Sequence, residues 1–198
     1  MITRTWKYEL VGRAVAEGGD CVLVDVGARD RVLQRYLPSG SSYLSADVVP
    51  GHDLLWNLEQ PIDAPDRAYD HVVALDVLEH LEYPHRALRE LIRIARRSVF
   101  ISLPNMSALS FRLTYFRTGR LSGKYDLLPQ HQGDRHRWIT RYEDVRTFVE
   151  HHARESGCTV RRWDIVKGFG TAQALAERVP LPLPLRTYTM LFELRRGG

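Results

Sequence analysis

The sequence predicts an α/β fold with a mainly parallel sheet. Three observations carry this. CVLVDV (21–26), HVVALDV (71–77) and SVFISLP (98–104) are near-continuous apolar runs of strand length. Segments of helical spacing separate them. A glycine or an acid, at Gly27, Asp47 and Asp76, stands at three of the strand ends. Strands covered on both faces read as unbroken apolar runs. Their alternation with helices implies crossover connections in one direction.

Between Arg4 and Glu17, Trp6, Leu10, Val11 and Ala14 fall at helical spacing, and Gly18 and Gly19 stop the helix. CVLVDV is the first buried strand. Asp30 is placed to cap a helix carrying Val32, Leu33, Tyr36 and Leu37, which Pro38 ends. SYLSADV (42–48) and HVVALDV follow as strands. Pro84 opens a helix with Leu88, Leu91, Ile92 and Ala95 on one face. SVFISLP is the next strand. A helix spans Arg141–Ser156, capped by Thr140 and ended by Gly157. TVRRWDIV (159–166) and TYTMLFEL (187–194) alternate as strands do, and VPLPLP (179–184) reads as an extended, helix-free connector.

The 198 residues suit a single domain, 1–198. Net charge is +4, from 28 basic against 24 acidic residues, which permits an acidic partner without requiring one. Cys21 and Cys158 form no CxxC pair and have no histidine at metal-ligand spacing, so neither a disulfide framework nor a metal site is assigned. No leader pattern and no run of about 20 apolar residues is present, which reads as a cytoplasmic protein without a membrane span. A homodimer is left open.

In open parallel sheets the ligand crevice lies beyond the carboxyl ends of the strands. A glycine after the first strand lets backbone approach a ligand, and a carboxylate after the second can accept from both ribose hydroxyls. Together they imply a nucleoside-containing ligand. The stretch after the first strand does not fit G-x-G-x-x-G, and no phosphate-binding G-x-x-x-x-G-K occurs.

YDHVVALDVLEHLEYP (69–84) narrows the choice. Its LDVLEHLEYP resembles the fourth-strand signature of class I S-adenosylmethionine-dependent methyltransferases, of the small type 11/12-like kind. VLVDVG is similar to that family's first motif and SAD to its second-strand acid. DLLWNLEQPI (53–62) matches its adenine-wrapping segment and VFISLPN (99–105) its fifth strand. The resemblance implies a Rossmann-like, seven-stranded sheet flanked by helices, with S-adenosyl-L-methionine as cofactor. It places Asp25, Gly27 and Ala28 along the methionine part, and Asp47 on the ribose with Val48 beside it. It places Asn57 and Leu58 at the adenine, and Asp76 near the amino-acid tail. Glu79 and His80 are read as architectural. The chain departs from the family's G-x-G-x-G at Arg29 and Arg31. Arg29 either turns outward, pairs with the cofactor's carboxylate, or closes the site.

Residues 105–140 are too long for an ordinary loop and read as an inserted helical lid after the fifth strand. Leu109, Leu113 and Phe116 predict a helix over the sheet edge. Arg112, Arg117, Arg120, Lys124, Arg135 and Arg137 make the insertion basic, which reads equally as a site for an anionic acceptor or as a solvated face. Nucleic acid is disfavoured, since no motif for it is present. DRHRWIT (134–140) is similar to a segment of relatives acting on glycans and small metabolites, which puts His136 first as a catalytic base, with His131 and Tyr125 in reserve. A structural hydrogen bond that pins the lid is the competing role for His136. The expected function is methyl transfer to an O or N atom of a small or glycan-like acceptor. The alternative is a catalytically silent cofactor-binding subunit.

Overall fold

The computed structural model describes residues 1–121, 123–130, 133–166 and 180–197. Eight strands form one sheet: β1 (Ile2–Thr3), β2 (Val22–Val26), β3 (Ser42–Asp47), β4 (Leu54–Leu55), β5 (Tyr69–Leu75), β6 (Ala95–Pro104), β7 (Cys158–Val166) and β8 (Thr187–Arg196). Their order is β1-β7-β8-β6-β5-β2-β3-β4. β8 runs antiparallel to β6 and β7, and every other pair is parallel. The mainly parallel α/β expectation holds. The count is eight rather than seven because the two-residue β1 extends the β7 edge. A pairing that short leaves no apolar run to announce it.

Period-two alternation splits each central strand between two cores. Val72 and Ala74 of β5 face one core, together with Val24, Val99 and Phe192. Helices α2 (Pro84–Ile94) and α4 (Tyr142–Glu155) cover that side through Leu88, Leu91, Val145 and Val149. Val73 and Leu75 face the other core with Leu23, Phe100 and Leu191, under helix α1 (Lys7–Ala16).

Four local expectations need correction. No α-helix follows β2: the chain makes a 3-10 turn over Val32–Tyr36 whose leading residue, Arg31, is left-handed and receives no side-chain cap. Leu33 still reaches the core. Thr140 does not cap α4. Arg141 holds the cap position, and the Thr140 hydroxyl has no hydrogen-bond partner. Within 179–184, Val179 lies outside the described residues, and Pro182 leads into a helical turn, α5 (Leu183–Arg186), rather than a helix-free connector. Finally, α3 (Leu109–Thr118) forms as a helix but buries no side chain. Phe116 is 90 % exposed, so this helix does not lay its apolar residues on the sheet edge. Its Phe111 ring stacks on Tyr188 at 5.3 Å.

Candidate cofactor cleft and the docked insertion

β2 and β5 are neighbours, yet the chain continues from β2 toward β3 and β4, and from β5 toward β6 and the opposite edge. The crossovers therefore diverge at the carboxyl ends of this pair and leave a crevice. A cleft of about 640 Å³ lies there. Of the residues predicted to hold the cofactor, Gly27, Asp47, Val48, Leu58 and Asp76 line it. Asp25 and Ala28 are buried and do not. Asn57 is exposed outside the lining, because its Oδ1 accepts from the Glu59 N–H at 2.9 Å in a local turn. Trp56 and His52 line the cleft in that neighbourhood instead.

Gly27 has φ of +72°, and a Cβ there would meet Val77 Cγ2 at 2.6 Å. The position is closed to a side chain on both counts. Asp47 closes the end of β3. Its Oδ2 accepts from the Arg29 N–H and its Oδ1 from the Val49 N–H, both at a long 3.3 Å, so acceptor capacity remains. Asp76, itself at φ +56°, is bridged by the Lys7 ammonium, and its Oδ1 accepts from Ser102 at 2.5 Å. Lys7 was not singled out from the sequence. It lies on the first turn of α1, and only the packing of α1 on the sheet brings it to a residue 69 positions away.

Arg29 and Arg31 adopt φ of 42° and 54°. The backbone thus keeps the left-handed geometry of a glycine turn with arginines in it, a conformation that costs roughly 1–2 kcal/mol per residue. The Arg29 side chain is 70 % exposed and pairs with Asp134 at 3.3 Å. It turns out of the turn and ties its rim to the insertion.

Asp25 lies beneath the cleft. Burial pushes its carboxyl up to about 7, against the opposing pull of a hydrogen bond from Tyr43 at 2.8 Å.

The insertion is anchored at its base, where the Met106 N–H meets the Thr140 carbonyl at 2.8 Å. Its last residues dock on the turn after β5. The Arg137 N–H donates to the Glu79 carbonyl at 2.8 Å, Arg137 Nε to the His80 carbonyl, and Trp138 Nε1 to the Leu81 carbonyl. That docking sets the His136 ring 4.6 Å from His80, edge to face. Tyr125 Oη lies 2.6 Å from the Trp138 carbonyl and 3.2 Å from His136 Nδ1. A carbonyl only accepts, so the tyrosine hydroxyl donates to it and His136 Nδ1–H donates to the tyrosine oxygen. Burial, then His80, push the His136 pKa down to about 4, which keeps the ring neutral at pH 7. Two of the predicted catalytic residues, His136 and Tyr125, are therefore together. His131 lies outside the described residues.

Glu79 and His80 lie on the short turn after β5. Burial, then the charge of Asp76, push the Glu79 pKa up. His80 lines the cleft and directs Nδ1 to the Arg135 carbonyl at 2.9 Å.

A sheet of this order with a cleft at its switch point is the Rossmann-like fold seen in class I S-adenosylmethionine-dependent methyltransferases. The chain belongs to the family of the methionine biosynthesis protein MetW, whose model matches residues 48–150, just over half of its length. The match contains Glu79, His80 and His136, whereas Gly27 and Asp47 precede it. Solved structures agree on the fold. The small RNA methyltransferase HEN1 superposes with a TM-score of 0.67 at 14 % identity, over 100 % of this chain and 26 % of that one. A SAM dependent methyltransferase from Archaeoglobus fulgidus superposes at 0.61 and 13 %, over 96 % and 94 %. Magnesium protoporphyrin IX methyltransferase (ChlM) from Synechocystis PCC 6803, solved with bound SAH, does so at 0.55 and 17 %, over 95 % and 80 %. The present chain thus spans about a quarter of the length of HEN1. No curated protein sequence gives a significant match. Among the described residues, no helix is long and apolar enough to cross a membrane.

Proposed function

We propose that this protein binds S-adenosylmethionine in the cleft at the ends of β2, β3 and β5 and transfers its methyl group to an O or N atom of a small or glycan-like acceptor. The observation that carries this is that Gly27 and the carboxylates of Asp47 and Asp76, from the ends of β2, β3 and β5, line one cleft. Asp47 takes the ribose hydroxyls. Leu58 and Trp56 wall the adenine. Methyl transfer is an in-line displacement, so the protein's task is to position the nucleophile and exclude water. His136 stands as the base: Nδ1–H is committed to Tyr125, which leaves a lone pair on Nε2, and the ring is neutral. Membership of a family described by methionine biosynthesis favours a small metabolite over a macromolecule. Of the basic side chains of the insertion, Arg120, Lys124 and Arg137 are paired with Asp126, Asp134 and Glu82, so an anionic acceptor would draw on Arg112, Arg117 and Arg135. The two unpaired cysteines fit a reducing, cytoplasmic setting.

Release of S-adenosylhomocysteine against a panel of phosphorylated and carboxylated metabolites and nucleotide-sugars tests the transfer. Turnover with one class is expected, and none with any would leave a binding protein. Replacing Asp47 by alanine is expected to weaken cofactor affinity by about 1–3 kcal/mol, the loss of hydrogen bonds to a charged acceptor. Unchanged affinity would remove Asp47 from the site. The change His136→Ala is expected to lower turnover and spare cofactor affinity; normal turnover would leave His136 only the structural bond to Tyr125.

A second reading, a catalytically silent cofactor-binding subunit, is favoured by one feature. Arg29 and Arg31 fix the turn in a strained geometry that glycine would adopt without cost, so less freedom remains around a reacting ligand. Cofactor affinity without turnover on any acceptor would select it.

A further inference from the structure

Three side chains converge where the end of the insertion docks on the turn after β5. Glu79, His80 and His136 each place one donor atom within 4.8 Å of the others. His136 Nε2 lies 3.9 Å from Glu79 Oε1. Glu79 is 1 % exposed, and its Oε2 has no hydrogen-bond partner. A buried carboxylate oxygen left without a donor is expensive, and native proteins rarely tolerate one without a purpose.

The imidazoles cannot supply that donor in their observed bonding. His80 Nδ1 faces the Arg135 carbonyl, so it carries the proton and donates. His136 Nδ1 donates to Tyr125. Each ring thereby keeps its Nε2 lone pair free. This is the orientation seen in metal-binding histidines, whose second ring nitrogen is held by a carbonyl, carboxylate or other acceptor. A nitrogen from each half-buried ring and an oxygen of buried Glu79 gather at one corner.

We propose that Glu79, His80 and His136 form a site for one divalent transition-metal ion at the edge of the cofactor cleft. Two imidazole nitrogens with one carboxylate suit Mn²⁺, Fe²⁺, Co²⁺ or Zn²⁺ better than Ca²⁺ or Mg²⁺, which favour all-oxygen sets. Metal–ligand bonds of about 2.1 Å put neighbouring donors roughly 3.0–3.4 Å apart, so side-chain shifts of about 1 Å close the set. The surrounding charges permit it. Asp76 and Asp134 lie nearby, each already paired with a cation, Asp134 with Arg29 as well as with Lys124. Lys124 is held by Asp134 at 3.0 Å and Lys7 by Asp76, so both ammonium groups are already paired. His80 lines the cofactor cleft, and Glu79 lines an adjoining pocket of about 160 Å³ with Trp138 and Phe148. An ion between them has its remaining coordination positions available to oxygen atoms of an acceptor. That use rests on the methyl-transfer reading, with the ion rather than the His136 lone pair activating the acceptor oxygen; the binding of the ion does not rest on it.

The test titrates Mn²⁺ and, separately, Co²⁺ into the metal-stripped full chain without cofactor. Free Mn²⁺ is followed by electron paramagnetic resonance, and bound Co²⁺ by its visible absorption. One ion per chain is expected, with ¹⁴N modulation from coordinated imidazole in the pulsed spectrum of the Mn²⁺ form. Glu79→Gln and His136→Ala should each weaken binding at least tenfold. The nitrogen signal is read on the unaltered protein, so it decides the matter even if a variant fails to fold. Absence of binding by both ions, a bound ion with no nitrogen coupling, or folded variants that bind as the parent does would each overturn the site. A parallel calorimetric titration with S-adenosylhomocysteine separates the two claims. An ion site without cofactor binding retires methyl transfer alone, and cofactor binding without an ion site retires the metal alone.

Discussion

Replacing Gly27 by alanine is expected to lower the melting temperature by about 4–20 °C and to abolish cofactor binding. Two costs add. An L-residue at φ +72° costs roughly 1–2 kcal/mol. The new methyl would stand 2.6 Å from Val77 Cγ2, well inside contact distance, and overpacking of this kind costs about 1–3 kcal/mol. A sum of about 2–5 kcal/mol converts to that shift at roughly 2–4 °C per kcal/mol for a chain of this size. The two costs separate experimentally. Gly27→Ala combined with Val77→Ala removes the clash and keeps the dihedral strain, so about half of the lost stability should return. Melting curves check this. A single variant as stable as the parent would mean that the turn after β2 is not held against Val77.

The change Asp25→Asn is expected to stabilise the protein at pH 9 and to do little at pH 4. Asp25 is buried, and its carboxyl titrates near 7 in the folded chain against about 4 when unfolded. The folded state therefore holds the proton more tightly. Its stability is full below about pH 4 and falls as the pH rises to about 7, by up to about 4 kcal/mol for this one group. Three groups face the carboxyl: Tyr43 donates to it, Lys7 favours its charge and Asp47 opposes it. Asparagine keeps an acceptor for Tyr43 and removes the titration. Thermal melts of both proteins across pH 4–9 should show a gap that opens with pH. A gap of constant size would show that burial does not hold Asp25 protonated.

The strands were legible because the sheet buries both faces, and the runs at 21–26, 71–77 and 98–104 carry no other pattern. The carboxyl-end positions followed from strand direction alone, which is why Gly27, Asp47 and Asp76 meet in one cleft as expected. What failed was local. Asp30 looked like a helix cap, but left-handed residues at 29 and 31 use up the turn that a helix would need. Asn57 looked like an adenine partner, but a hydrogen bond two residues along was within reach of its own side chain. Lys7 could not be read, because its partner Asp76 is 69 residues away and arrives only through the packing of α1. The Glu79–His80–His136 cluster was half visible. LEH and DRHRW each stood out, yet their meeting depends on three backbone-directed hydrogen bonds between segments more than 50 residues apart. Periodicity carries no information about such a docking.

The central claim is that the carboxyl edge between β2 and β5 is a cofactor site. Isothermal calorimetry of S-adenosylhomocysteine against the full chain tests it most directly. One site per chain is predicted, weakened by Asp47→Ala and lost in Gly27→Ala. No heat at millimolar ligand, or heat unchanged by both substitutions, would contradict it.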